Sequence, residues 1–499
     1  MVLSEKNGKQ KVIKTIGHAK ENHEIIELEK EAEKYIALIS PQRSFDFSLP
    51  PKLSERHEKK LETLLSSLPP PQVDAVGPEL VLGKLFDKIG FGTIEEPLFR
   101  ALVLSRLTYP LSKLKTSEYI YLHNHEEVPI DKIYRFLDRF HIREQERVQN
   151  IAFEWTKQLT GKKIGVIFYD MTTLHFEAED EDDLRKTGFS KNGKFQCPQI
   201  VLGLLVAENG YPIGYDIFSG NTHEGKTLIP FLRKIEERYG LGKPIVIADS
   251  GLLSKLNIKE LTKESYEFIL GARIKNSSEK IKKKILESAV LLKHGDNFEL
   301  DSTGNRLIVG FSDKRAKKDA HNRLRGIARL EKRFKSGKLT KKDVNNRGYN
   351  KFVVLKSKID VSIDYCKIAD DSKWDGLKGY ITNSKLRREE IIENYGHLWQ
   401  IEKAFRISKT DLRIRPIYHR KQDRISAHIC IAFVAYSVFK TLEKILKEKL
   451  FPLSPQKSIE ILKTIYKITY VLSVKNRTYS TFASLTAAQQ DIIKIFETI

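Results

Sequence analysis

The sequence predicts a mixed α/β protein, with a basic, partly β-rich insertion inside the sheet region and helical regions on both sides. Three observations carry that prediction. From about residue 161, short apolar runs such as "IGVIFY" and "PIVIA" alternate with amphipathic helical segments, the pattern of buried strands linked by helices. Before and after this region, apolar residues recur at i, i+3, i+4 and i+7, as in helices with one buried face. Between the last strands, Asp313 to Lys351 holds fifteen Lys/Arg against four Asp/Glu.

The chain has 499 residues, long enough for several domains or subdomains. Its 87 Lys+Arg against 65 Asp+Glu, a formal charge of +22, point to a polyanionic partner, and nucleic acid fits better than a membrane surface. No signal-peptide h-region opens the sequence. Its longest clean apolar stretch, Cys430 to Phe439, is about half of a membrane span. Three scattered cysteines exclude a disulfide scaffold and a zinc ribbon and fit a reducing cytosol.

Taken in order, residues 1–72 are a charged region ending in the Pro-rich linker Ser67 to Gln72. Residues 73–160 read as a helical domain that could contact DNA. The sheet begins with "KIGVIFYDMTTLHFE" and continues with two strands joined through Asn209-Gly210, a turn dipeptide. A helix over Gly225 to Gly240, a strand Pro244 to Gly251, a second helix and a strand Tyr266 to Ile274 complete the first part, 161–274. The basic insertion spans 275–384, a helical segment carrying the last part of the core spans 385–412, and 413–499 is a C-terminal helical region. The acidic run Glu177 to Asp183 reads as an exposed loop, and the histidines lack metal-ligand spacing.

Two acids stand out. Asp170 ends "IGVIFY" and Asp249 ends "PIVIA". A carboxylate at the end of a buried strand needs hydrogen bonds, a counter-charge or a cation. Asp249 could instead cap the next helix and Asp170 could form an Asx-turn. Carboxylates at the carboxyl ends of two strands of one sheet suit a hard-oxygen cation site. Glu402, in "YGHLWQIEKAFRISK", is the candidate third acid, although Arg406 at i+4 offers an ordinary salt bridge. Residues 385–412 read as one long amphipathic helix or two in succession, and Tyr395, Glu402 and Lys409, spaced by seven, share a face where the helix is continuous.

The order Asp170, Asp249, basic insertion, Glu402 resembles that of the DDE transposases of bacterial insertion sequences. The group it is most similar to is marked by Tyr-x2-Arg-x3-Glu-x6-Lys around the third acid. Tyr395, Glu402 and Lys409 match that signature, and Leu398 stands where the group has Arg. The resemblance covers about Lys163 to Ala435. It implies a ribonuclease-H-like core with the first Asp on the first strand, the second on the fourth and the Glu on a late helix. It also implies a metal-dependent enzyme that cleaves DNA at element ends and transfers the strand into target DNA. Asp170, Asp249 and Glu402 would be both the catalytic residues and the ligands of two Mg²⁺ ions, with Mn²⁺ able to substitute. Tyr395, Trp399, Lys403, Arg406, Lys409, Arg413 and Arg415 would contact DNA. The partners implied are terminal inverted repeats and target DNA, with a homodimer in the synaptic complex, no membrane, and a cytoplasmic, nucleoid-associated location in a bacterium. The alternatives are a nuclease of the same fold without strand transfer, or a DNA-binding relative with a dead site.

Overall fold

The computed structural model describes residues 2–6, 9–19, 21–39, 63, 70–124, 126–177, 180–189, 193, 196–302, 304–355, 360–472 and 477–497. Half of the linker Ser67 to Gln72 and part of the acidic loop Glu177 to Asp183 lie outside the described residues. The chain divides into two compact units, Met1–Pro71 with Tyr470–Arg477, and Gln72–Thr469 with Thr478–Ile499. In the first, strands Val2–Lys6 and Lys9–Lys14 form an antiparallel hairpin, followed by the helix Asn22–Ile39. The Lys14 ammonium lies 4.4 Å from the centre of the Tyr35 ring.

The second unit is built from α1 (Pro97–Thr108), α2 (Ile130–Leu159), β1 (Val166–His175), β2 (Gln199–Ala207), β3 (Pro212–Ser219), α3 (Leu228–Tyr239), β4 (Ile245–Ala248), α4 (Lys255–Lys263), β5 (Phe268–Ala272), β6 (Asn297–Ser302), β7 (Asn305–Phe311), α5 (Asp313–Lys335), β8 (Leu377–Thr382), α6 (Arg388–Gly396), α7 (Trp399–Arg406) and α8 (Gln422–Glu448), with shorter helices between them. Eight strands form one mixed sheet in the order β3-β2-β1-β4-β5-β8-β7-β6. The meander β1-β2-β3 is antiparallel, while β4 and β5 run parallel to β1. This is the ribonuclease-H-like arrangement, with Asp170 on the first strand and Asp249 just past the fourth.

Local chemistry explains the connections. Asn209 and Gly210, with φ of 61° and 77°, supply the two left-handed residues that a tight β2–β3 turn demands. Gly240, φ 58°, ends α3 in the left-handed conformation that a Cβ disfavours. Ser254 caps α4 by accepting from the Asn257 amide, so capping does not fall to Asp249.

Apolar side chains alternate across the sheet and fill two cores. Ile167, Tyr169, Met171, Val246 and Ala248 pack with α3 and α4 on one face. Val166, Phe168 and Ile247 pack with α1, α2, α7 and α8 on the other. The helical segment 73–160 therefore shares a core with the sheet and with α8. α8 is long and apolar enough to cross a membrane, yet its apolar window is wholly buried inside the fold. The apolar stretch Cys430 to Phe439 is the middle of this core helix.

Residues 275–384 differ from a simple insertion. Three of their strands extend the same sheet, β8 pairing antiparallel with β5 and carrying β7 and β6 beyond it. The helix Glu279–Ala289 packs on these strands, and the stretch from α5 to the helix Tyr365–Ser372 leaves the sheet and closes a small core of Leu330, Leu339, Phe352 and Val353. The basic run is mainly one 23-residue helix, α5, tied down by the paired contacts of Arg323 with Asp375.

Candidate active site

Asp170 does not end its strand. β1 runs on to His175, paired with β2, so Asp170 lies mid-strand opposite Leu204. What ends is its parallel neighbour: β4 pairs with β1 up to Tyr169↔Ala248 and then stops. Asp170 and Asp249 are thus the next residues in register on adjacent strands, which run about 4.8 Å apart. Alternation from Phe168 and Ile247 turns Asp170 and Asp249 toward the face that α7 covers. Each carboxylate also serves the local backbone. Asp170 Oδ1 accepts from the Met171 amide at 2.7 Å, and Asp249 Oδ1 accepts from the Gly251 amide at 2.8 Å.

Glu402 comes to this face on α7, which packs against β1. The segment is not one helix. α6 ends at Gly396, the chain turns at His397 and Leu398, and α7 begins at Trp399. After Arg406 the helix widens into a π turn, Ile407–Asp411. The seven-residue spacing therefore does not place Tyr395, Glu402 and Lys409 on one helical face. Lys409 instead donates from the π turn to Thr172 Oγ1, two residues beyond Asp170 on the same face of β1.

The remaining residues of the signature separate into buried and exposed ones. Tyr395 is 6% exposed, and its ring lies over β5, where a Cβ at Gly271 would come 2.4 Å from the hydroxyl. Burial and the nearby Asp249 raise its pKa, so it stays a neutral phenol. It packs edge-on against Tyr380, 4.9 Å between centroids, with little of its surface open to solvent. Leu398 is 8% exposed and belongs to the main core, which explains an apolar residue at the position of the group's Arg. Trp399 is 50% exposed, so it does not serve as a core residue. Lys403 is held by Glu443, which also binds Lys440, and so its charge is already matched within the fold. Arg406 and Arg413 are exposed and Arg415 is half-buried. Glu402 and Arg406 form no salt bridge among the described residues. Lys378 of β8, whose ammonium sits 4.3 Å from the Tyr395 ring centre, lies near enough to Glu402 to feel its charge.

Three contributors had no signal in the linear pattern. Glu224, in the turn before α3, brings a carboxylate oxygen within 2.7 Å of the position a Cβ on Gly251 would take, and Asp249 Oδ1 lies 2.9 Å from that point. Lys378 and Arg315 bring positive charge from β8 and from the first turn of α5. Burial and Arg315 lower the Lys378 pKa, and Glu402 opposes that shift. A cleft of about 490 Å³ beside the strand ends is lined by the polar Thr172, His223, Glu224 and Arg273 and by the apolar Met171 and Phe189.

Among the described residues, no three acidic, histidine or cysteine side chains converge into a ready-made metal cage. Asp170 and Asp249 share a face and Glu402 is carried on the helix above it, but the three do not form a closed ligand set. The donors are nonetheless all carboxylates. They suit Mg²⁺ or Mn²⁺, which keep water and substrate oxygens in their shells and need only one or two protein carboxylates each.

The ribonuclease-H-like sheet thus carries Asp170 and Asp249 at neighbouring strand positions, with Glu402 on the helix above and basic side chains around them. Residues 161–438 match the family described as the transposase DDE domain, and the chain belongs to that family. Among solved structures, the chain is similar to a piggyBac transposase synaptic complex with hairpin DNA, at 9% identity and TM-score 0.40, covering 78% of this chain and 79% of that one. It is also similar to a Mos1 transposase paired-end complex with the left transposon end, at 10% identity and TM-score 0.16, covering 48% and 71%. A Mos1 mariner paired-end complex with Mn gives 11% identity and TM-score 0.15, covering 48% and 72%. No curated protein matches the chain.

Proposed function

We propose that this member of the transposase DDE family cleaves DNA at the ends of its element and joins the exposed 3′ ends to target DNA. The single observation that best supports this reading is that Asp170 and Asp249 each follow the last paired residues, Tyr169 and Ala248, of two parallel neighbouring strands, with the helix that carries Glu402 packed on β1. A divalent cation held by these carboxylates would polarise the scissile phosphodiester and offset the charge that builds on its oxygens. Asp170, Asp249 and Glu402 would hold it, with Glu224 beside Asp249. Lys409, tethered to Thr172, and Lys378, beside Glu402, set positive charge around the acids, where a phosphate must enter. Trp399 and Arg406, exposed on α7, offer a stacking surface and a phosphate contact along the DNA. In-line displacement by water or by a 3′-hydroxyl requires no protein nucleophile. Two protomers would bring two ends together on terminal inverted repeats.

The test is to incubate purified protein with Mg²⁺ or Mn²⁺ and DNA carrying the element's terminal repeats. Specific 3′-end nicks and joined products are expected, and both should vanish in Asp170→Asn, Asp249→Asn and Glu402→Gln. Nicks without joined products would reduce the reading to a nuclease. Full activity in Glu402→Gln would remove Glu402 from the site.

A further inference from the structure

A second pocket lies away from the acids, between the end of α1, the start of the helix Lys113–Asn124 and the segment that follows the π turn. It encloses about 370 Å³, within the size range of small-ligand sites. Four basic side chains line it, Arg106, Lys113, Arg413 and Arg415, with Tyr134 and Tyr418 among its walls and no carboxylate.

Two of the four are deeply buried. Arg106 is 5% exposed and donates to the carbonyls of Leu412 and Arg413 and to His428 Nδ1. It thereby pins the turn that carries Arg413. Lys113 is 8% exposed and makes no hydrogen bond or ion pair among the described residues. Desolvation, then the nearby Arg106, lowers its pKa well below the usual lysine value. The histidines of the wall offer no counter-charge. His428 donates Nε2–H to Ile414 O and accepts at Nδ1 from Arg106, which fixes it neutral. The nearby acid, Asp138, is already taken by Arg424 at 2.8 Å, with Lys421 at 3.8 Å. A buried amine without a partner sheds its proton, and an anion entering the cavity would supply the negative charge that lets Lys113 hold its proton and donate.

We propose that this pocket binds a phosphate group, with Lys113 as its buried anchor and Arg413 and Arg415 closing on it. The phosphate could belong to a DNA strand or to a free phosphate compound, since both present the same oxygens to these donors. The proposal does not depend on catalysis at the acids, so its test is run in chelator, where the proposed metal-dependent reaction is silent.

Full-length protein and Lys113→Gln are titrated with inorganic phosphate by calorimetry, and with a short labelled duplex over a range of NaCl. Lys113→Gln is expected to weaken phosphate binding about tenfold, the usual effect of losing one charge-assisted hydrogen bond. For a DNA phosphate, the log–log salt slope of duplex binding also falls by about one. Arg415→Gln, at the half-buried edge of the pocket, should repeat both effects without touching the core. Weaker phosphate binding with an unchanged DNA slope assigns the pocket to a free phosphate compound. Unchanged phosphate affinity and unchanged slope in both variants would overturn the proposal.

Discussion

Lys409 donates a hydrogen bond to Thr172, which stands two residues from Asp170 on the same face of the central strand. The turn that follows the third acid is thus fastened to the strand that carries the first. Lys409 Nζ also lies 5.6 Å from the Phe405 ring centre, so its stem lies along α7. This tether holds the π turn after α7 against β1.

The tether should appear in a double-mutant cycle. Lys409→Ala and Thr172→Val are each expected to lower stability by about 1.5–3 kcal/mol, the range for a hydrogen bond to a charged group. The double variant should lose less than the sum, because both changes remove one contact. Denaturant midpoints of the four proteins measure the coupling, and strict additivity would mean the bond contributes nothing.

Glu224 was not evident from the sequence, yet its carboxylate lies beside Asp249. Glu224→Ala is expected to slow end cleavage by about 10–100-fold, as loss of a supporting residue does at a metal site, while Asp249→Asn abolishes it. Single-turnover nicking compares them, and a wild-type rate in Glu224→Ala would place Glu224 outside the reaction.

Leu398 can be tested by restoring the group's residue. Leu398→Arg puts a guanidinium into a buried position of the main core and should destabilise the protein by about 2–4 kcal/mol. Urea unfolding gives the number. A variant as stable as the parent would show that the α6–α7 turn has room for a charge.

The buried histidines give a pH dependence with a definite sign. Burial, reinforced by Lys113, Arg424 and Arg106, pulls His419 down to about 3, and burial with Arg106 pulls His428 down as well. An unfolded histidine titrates near 6.5, so below that pH the unfolded chain binds more protons than the folded one. Their contribution is complete above about pH 6.5 and is lost as the pH falls, by about 1.4 kcal/mol per unit for each ring. Unfolding free energies between pH 7.5 and 5 should decline accordingly, and His428→Gln should flatten the slope.

Much of the sheet was legible in the sequence because its inner strands are continuous apolar runs, and the order β1-β2-β3-α3-β4-α4-β5 follows from them. The aspartates were legible because charge at the end of such a run is unusual. What was hidden depended on contacts remote in the chain. β6 and β7 are short and half polar, and nothing local says that they join the sheet through β8. The break between α6 and α7 has no Pro, so helical spacing seemed to continue through Leu398. Tyr395 was read as a phosphate contact because its spacing was read without its burial over Gly271. Glu224, Lys378 and Arg315 come from a turn, a strand and a helix far apart in the chain, which no local pattern encodes.

α8 has a consequence for how the protein is made. It is the core helix against which α1, α2 and β3 close, and it follows every acid of the site in the chain. While the ribosome is still short of residue 448, the faces that α8 will cover have no partner and stay sticky. A gene copy cut short just after Glu402 would encode all three acids and still yield an aggregating chain, so damage to the 3′ end of the gene silences the protein as surely as loss of an aspartate.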